Sequence, residues 1–157
     1  MIIAGIDPGR RGAIVIVDTD SLEVVASHRM PYVDKGLDLW EIADIIASNS
    51  VNLAVVEKQQ SMPKQGVKSC FTIGLGFGSL LGVLAALKVP FVTPSPSKWT
   101  RRALEGIPGD GKARNILACR RLFPHLDLTP GRVKRPHDGI ADAALLAYYG
   151  MGQGRPE

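Results

Sequence analysis

Residues 2–18 read IIAGIDPGRRGAIVIVD. An apolar run at 2–6 meets Asp7-Pro8-Gly9, a strong turn signal, and residues 12–18 resume as a second, β-branched run. Two such runs with a short polar break predict an antiparallel hairpin. A third run, LEVVASH at 22–28, follows the tight connection TDS and extends the hairpin to a three-stranded meander.

Outward from the meander the period changes. In LDLWEIADIIAS at 37–48, Leu39, Ile42, Ile45 and Ile46 recur at helical spacing. NLAVVE at 52–57 returns to strand, and 58–66, with Pro63 and Gly66, reads as loop. Residues 67–87 predict a long apolar helix in spite of Gly74, Gly76, Gly78 and Gly82. VPFVTP at 89–94 is a fifth strand. Helices follow at 96–104 and 111–122, split by GIPGDG, then a Pro- and basic-rich loop at 124–136. A final helix, HDGIADAALLAYYG at 137–150, stops at Gly150, and 151–157 reads as a flexible tail. The order β-β-β-α-β-α-β-α-α-α predicts an α/β domain over 1–150. It is a mixed five-stranded sheet with helices on both faces, the layout of the ribonuclease H-like fold.

Composition narrows the function classes. With 157 residues, 45% hydrophobic and 22% charged, the chain is sized for one folded domain, and disorder is excluded for most of it. Two cysteines, Cys70 and Cys119, make no disulfide framework and read as small buried hydrophobes. MIIAGIDPG lacks the pattern of a secretory signal, and the apolar stretch at 71–87 is interrupted by four glycines and flanked by no anchors. The expectation is a cytoplasmic protein without a membrane partner.

Charge is unevenly placed. Residues 1–100 carry nine Lys/Arg against nine Asp/Glu, whereas 101–157 carry ten against six, the whole of the net +4. The excess concentrates between Lys98 and Arg135, as expected for a polyanionic partner. Aromatic residues are only 6%, too few for a platform of several stacked bases.

Four acids stand out. Asp7 ends the first apolar run and Glu57 ends the fourth strand, places where a carboxylate is costly unless paired or bound to a metal. Alone, Asp7 is a turn-capping residue and Glu57 the last residue of a strand. Asp138 and Asp142 lie four apart, on one face of the last helix. The helix dipole accounts for an acid at 138, but not for Asp142 among Ile140, Ala141, Ala143, Ala144 and Leu145. If the first and fourth strands are neighbours and the last helix crosses their ends, the four carboxylates converge. Such a cluster repels itself unless hard divalent cations neutralise it, above all Mg²⁺. Two such ions can activate a water and stabilise a leaving oxygen in phosphodiester hydrolysis.

GIDPGRRGAIVIVD, VEKQQSMPKQGVKSCFTIG, VTPSPSKW and HDGIADAALLAYYG together resemble the RuvC-type crossover junction endodeoxyribonucleases, most closely their smaller phage-type branch. The resemblance spans about residues 2–150. It implies a homodimer that resolves four-way DNA junctions by paired nicks with Mg²⁺ or Mn²⁺. It implies metal-binding roles for Asp7, Glu57 and Asp142. For the remaining ligand it leaves Asp138, with His137 as competitor, because position 139, where better-known bacterial members carry the acid, is Gly. Lys98 and Lys112 resemble the family's DNA-gripping residues, and Arg101, Arg102 and Arg114 extend that surface. Some members carry an aromatic residue three after the strand-end Glu; here that position is Gln60, leaving Met62 or Phe71 to replace it.

Other classes fare less well. GLGFGS at 74–79 sits inside a helical stretch, not between strand and helix, so no dinucleotide cofactor is expected. Gly74, Gly78 and Gly82 instead form a smooth stripe suited to close packing, on the sheet or on a partner's equivalent helix. An actin-like ATPase, suggested by GIDPG, needs two domains. A nuclease for other branched DNA or RNA–DNA hybrids would share the acids, and a non-catalytic junction binder would not need them.

Overall fold

The computed structural model describes residues 1–34, 36–60, 64–131 and 134–153. The opening hairpin forms as its turn chemistry demands. β1 (Ile2–Asp7) pairs antiparallel with β2 (Ala13–Asp18), from Ile2 opposite Asp18 to Asp7 opposite Ala13. The Gly12 N–H donates to the Gly9 carbonyl at 2.7 Å, and a Cβ at Gly12 would lie 1.9 Å from the Asp7 carbonyl oxygen, so only glycine fits there. β3 (Glu23–Arg29) adds to β2, completing the meander.

A small hairpin that the sequence reading did not anticipate follows, β4 (Tyr32–Val33) with β5 (Gly36–Leu37). It takes Leu37 out of α1 (Leu39–Ser48), which starts where Asp38 accepts from the Glu41 N–H at 3.1 Å. Next come β6 (Leu53–Val56), α2 (Val67–Ala86) and β7 (Phe91–Val92). Then come α3 (Pro96–Ala103), α4 (Gly111–Leu122) and α5 (Asp138–Gly150). The sheet order is β3-β2-β1-β6-β7, with β1–β6 and β6–β7 parallel. The α/β class and the mixed five-stranded sheet stand as expected.

Strand parity sorts the core into two layers. Ile3, Val15, Val17, Leu53 and Val55 face α3, α4 and α5, whereas Ala4, Ile6, Ile14, Ile16, Ala54 and Val56 face α1 and α2. Helices thus cover both faces. On the first face α5 lies directly on the sheet, because three glycines remove the side chains between them. A Cβ at Gly5 would stand 1.9 Å from the Ala143 carbonyl oxygen. One at Gly150 would meet Val55 at 2.6 Å, and one at Gly139 would meet the Arg11 carbonyl oxygen at 2.2 Å.

On the other face, α2 is only partly covered. Leu80 and Leu84 are fully buried, but Val67, Phe71 and Leu75 are 87%, 69% and 59% exposed. Among the described residues, nothing beyond the adjoining residues and the helix's own backbone comes within 4 Å of a Cβ built at Gly74, Gly78 or Gly82, so the stripe is not packed on the sheet. By length and composition alone α2 could cross a membrane, so its glycines do not disqualify it as the sequence reading held. Cys119 is buried as expected; Cys70 is only half-buried.

Candidate active site

Parity and register bring the acids together. Asp7 is the last residue of β1, on the α5 side of the sheet with Ile3 and Gly5. The parallel β1–β6 ladder runs one residue past β6, the Glu57 N–H donating to the Ile6 carbonyl at 2.9 Å. Glu57 therefore stands beside Asp7 on the same face. The close seat of α5 sets its first turn over the β1–β2 turn and presents Asp138 and Asp142 to the same sheet end. Gly139 has no room for any side chain, so an acid three before Asp142 could not be accommodated; four before it, Asp138 is free of the turn.

Each carboxylate has its own tether. Asp7 Oδ1 accepts from the Gly9 N–H at 3.2 Å. Glu57 Oε1 accepts from the Trp99 indole N–H at 3.0 Å. Asp142 Oδ1 accepts from Asn115 Nδ2 at 2.6 Å. Asp138 pairs with the Lys112 ammonium of α4. His137 is the N-cap of α5, its Nδ1 accepting from the Ile140 N–H at 3.2 Å, which leaves only Nε2 for other work.

The electrostatics are those of crowded, half-dry acids. Burial pushes Glu57 up to about 7; the Trp99 hydrogen bond opposes this, and the charges of Asp7 and Asp142 add to it. Burial likewise lifts Asp142 to about 6, against the Asn115 hydrogen bond and with repulsion from Asp7 and Asp138. Asp7 is raised by burial and by Asp138. Asp138 alone is held low, by its hydrogen bond from Lys112, whose ammonium is raised in return. Burial and the Arg29 charge depress His137.

These shifts make a stability prediction. A carboxyl whose pKa is higher folded than unfolded holds its proton more tightly in the native state, so stability falls as pH rises between the two values. For Glu57 the window runs from 4.5 to about 7, and for Asp142 from 3.8 to about 6. The depressed His137 acts oppositely, destabilising the fold as pH drops below its ordinary 6.5. With three raised acids against one partly exposed imidazole, the melting temperature in EDTA should fall by several degrees from pH 5 to pH 8. Asp142→Asn should flatten the slope. A melting temperature that rises over this range in EDTA would show that the acids do not bind their protons more tightly in the folded state.

Among the described residues no three His, Cys, Asp or Glu side chains form a ready-made cation site. Asp138 is engaged by Lys112, Asp142 by Asn115 and Glu57 by Trp99. The donor set itself, carboxylate oxygens with raised proton affinities, fits a hard divalent cation in kind. Asp138, engaged by the Lys112 ammonium, would join such an ion only on leaving that pair.

The basic residues divide. Lys98, Arg101 and Arg102 are exposed on one face of α3, opposite buried Trp99 and Ala103, and Arg102 lies over the Tyr149 ring at 6.0 Å. Arg114 is committed elsewhere, donating from Nε to the Ile107 carbonyl at 2.7 Å and from Nη2 to the Leu104 carbonyl at 2.8 Å. It ties the loop after α3 to α4, so its side chain serves the fold. Two cations outside the predicted stretch join the rim: Arg11 acts on Lys112 and His137, and Arg29 on His137. The Arg10-Arg11 pair in the first turn was the available signal. Trp99 and Asn115 were also missed, although a buried Trp needs a partner for its N–H and Asn115 lies one helical turn after Lys112. Met62 and Arg132 lie outside the described residues. A cleft of about 440 Å³, lined by Pro8, Arg10, Tyr32, Leu37, Gln59 and Phe77, opens beside the cluster, with the Arg10 guanidinium 5.4 Å from the Tyr32 ring centre.

No protein-family model matches the sequence, and no curated protein matches it significantly. Solved structures do match the fold. Thermus thermophilus RuvC in complex with a Holliday junction substrate superposes with a TM-score of 0.69 at 18% identity, covering 95% of this chain and 92% of that one. The yeast mitochondrial Holliday junction resolvase Ydc2 gives 0.59 at 16% identity over 95% of this chain and 77% of its own. The fowlpox virus resolvase, solved with Holliday junction DNA, gives 0.59 at 16% over 96% and 97%. The chain shares the α/β fold of these resolvases.

Proposed function

We propose that this chain is a metal-dependent endonuclease that resolves four-way DNA junctions by paired, symmetric nicks. The observation that carries the reading is the convergence of Asp7, Glu57, Asp138 and Asp142 from three elements onto one sheet end, with three of them raised by burial and mutual repulsion. The shared fold with resolvases, two of them solved with junction DNA, supports it.

The four carboxylates would hold Mg²⁺, or Mn²⁺ in its place. When bound, such ions supply Lewis-acid activation of a water and neutralise charge at the scissile phosphate. The chain's own residues do the rest. The Gly9, Trp99 and Asn115 donors orient Asp7, Glu57 and Asp142 before any substrate arrives. Lys112, on turning from Asp138, and Lys98, Arg101 and Arg102 hold phosphates on either side. A homodimer is supported by α2: its exposed Val67, Phe71 and Leu75, next to the open glycine stripe, form a face that a second copy would bury about a two-fold axis. Two sites so related match paired cuts on a near two-fold junction.

The test compares a mobile four-way junction, a fork, a flap and linear duplex, each with Mg²⁺ and with EDTA. Symmetric nicks in the junction alone, absent in EDTA, are expected. Equal cutting of forks and flaps would replace the proposal with a general branched-DNA nuclease. Tight junction binding without cutting would replace it with a non-catalytic binder.

A further inference from the structure

Of the two buried side chains of α3, Trp99 and Ala103, only Trp99 carries a polar atom. A buried indole N–H needs an acceptor. Here it is Glu57 Oε1, 3.0 Å away and 42 residues earlier in the chain. The indole is 2% exposed and embedded in the layer that packs α3, α4 and α5 on the sheet, so it cannot follow a moving carboxylate without disturbing that packing.

The backbone of Glu57 is held from both sides as well. Its N–H donates to the Ile6 carbonyl, and the next N–H, of Lys58, donates to the Pro94 carbonyl, both at 2.9 Å. Pro94 leads through Ser95 into Pro96, the first residue of α3. The segment 94–99 therefore grips Glu57 twice, once at its backbone exit and once at its carboxylate. With Oε1 held, Oε2 remains, and among the described residues it takes a single 3.5 Å contact, from Gln59.

We infer that Trp99 is a positioning residue for a divalent cation, its indole N–H fixing one oxygen of Glu57 so that the other is presented as a ligand beside Asp7 and Asp142. This rests on reading the acid cluster as a cation site. It adds that PSPSKW is a clamp on one ligand as well as part of a basic surface. Partners of this kind, one shell behind the ligands, commonly change metal affinity by about 10–100-fold when removed.

The same contact makes Trp99 a reporter. The chain has two tryptophans, and Trp40 is 86% exposed on α1, so Trp40→Phe leaves Trp99 as the only indole. In that variant, titration with Mn²⁺ should quench the emission saturably. Adding Glu57→Gln should abolish the quench or move it to at least about 10-fold higher Mn²⁺. Separately, Trp99→Phe keeps a ring in the core and removes the donor. By calorimetry its Mn²⁺ affinity should fall about 10–100-fold with the circular dichroism spectrum unchanged, and in a Glu57→Gln background it should change nothing further.

Parent-like Mn²⁺ affinity in Trp99→Phe, or a quench indifferent to Glu57→Gln, would overturn the inference while leaving the cation site standing. A parent protein that binds no Mn²⁺ would remove both. Should Trp99→Phe fail to fold, the emission titration, which leaves position 99 intact, decides the matter.

Discussion

Asp7→Asn protein is expected to bind a four-way junction as tightly as the parent, or more tightly, and to cut it at least about 10³-fold more slowly in Mg²⁺. Asp7 caps the central strand, shares a face with Glu57, and is raised by burial and by Asp138. The substitution keeps the shape and an acceptor for the Gly9 N–H while deleting one charge from the centre of the cluster. Binding should survive because the phosphate contacts proposed for Lys98, Arg101, Arg102 and Lys112 do not involve Asp7, and because a lost negative charge relieves repulsion with DNA. Folding should survive for a related reason. Asp7 binds its proton more tightly folded than unfolded, so its ionised form destabilises the native state at neutral pH, and the neutral amide removes that cost. Junction gel shifts in EDTA, single-turnover cleavage in Mg²⁺ and a melting curve at pH 8 measure the three quantities. Parent-like cleavage by Asp7→Asn would sink the assignment of the site. Joint loss of binding and folding would make Asp7 a structural residue.

The second large effect should come from a single methyl group far from any charge. Gly5→Ala places a Cβ 1.9 Å from the Ala143 carbonyl oxygen and 2.5 Å from the Ala147 backbone nitrogen. Both are backbone atoms of α5, so no rotamer can relieve the overlap, and the helix must lift from β1 as a unit. Lifting it opens the layer that holds Ile140, Leu145 and Leu146. We expect a loss of about 3 kcal/mol or more, at the upper end for an overpacked core, and a melting temperature lower by roughly 6–12 °C. Cleavage should drop as well, although no functional group is removed, because Asp138 and Asp142 travel with the helix. A Gly5→Ala variant that melts with the parent would mean that α5 does not rest on β1 as described.

These two positions mark what could be read in advance. Asp7 was legible because a carboxylate at the end of an apolar run, next to Pro-Gly, is unusual on local grounds. Glu57 was legible in the same way, and Asp138 and Asp142 through their helical spacing. The weight of Gly5 was not legible, since a glycine in a strand has many uses and only the crossing of α5 selects one. Arg114 is a contrasting case. It was counted with the basic surface because charge is visible in sequence, whereas its commitment to the Leu104 and Ile107 carbonyls depends on how the loop after α3 returns to α4. The small hairpin at Tyr32–Leu37 was missed because two-residue strands leave no periodicity to detect.

By itself, then, the sequence determined the order of the main elements, the α/β class with helices on both faces of a mixed sheet, and four acids as candidates for a site. Each of these follows from interactions over a few residues: turn chemistry at Asp7-Pro8-Gly9, alternation in the strands, and three- and four-residue spacing in the helices. Only the tertiary structure decided why an acid is possible at 138 and not at 139, and which donor stands behind each carboxylate. It also decided which face of α2 is left open. Those outcomes turn on separations of an ångström or two between segments tens of residues apart, as with Trp99 and Glu57, 42 residues apart in the chain. Distances of that kind are fixed by close packing of the whole core, which no local pattern encodes.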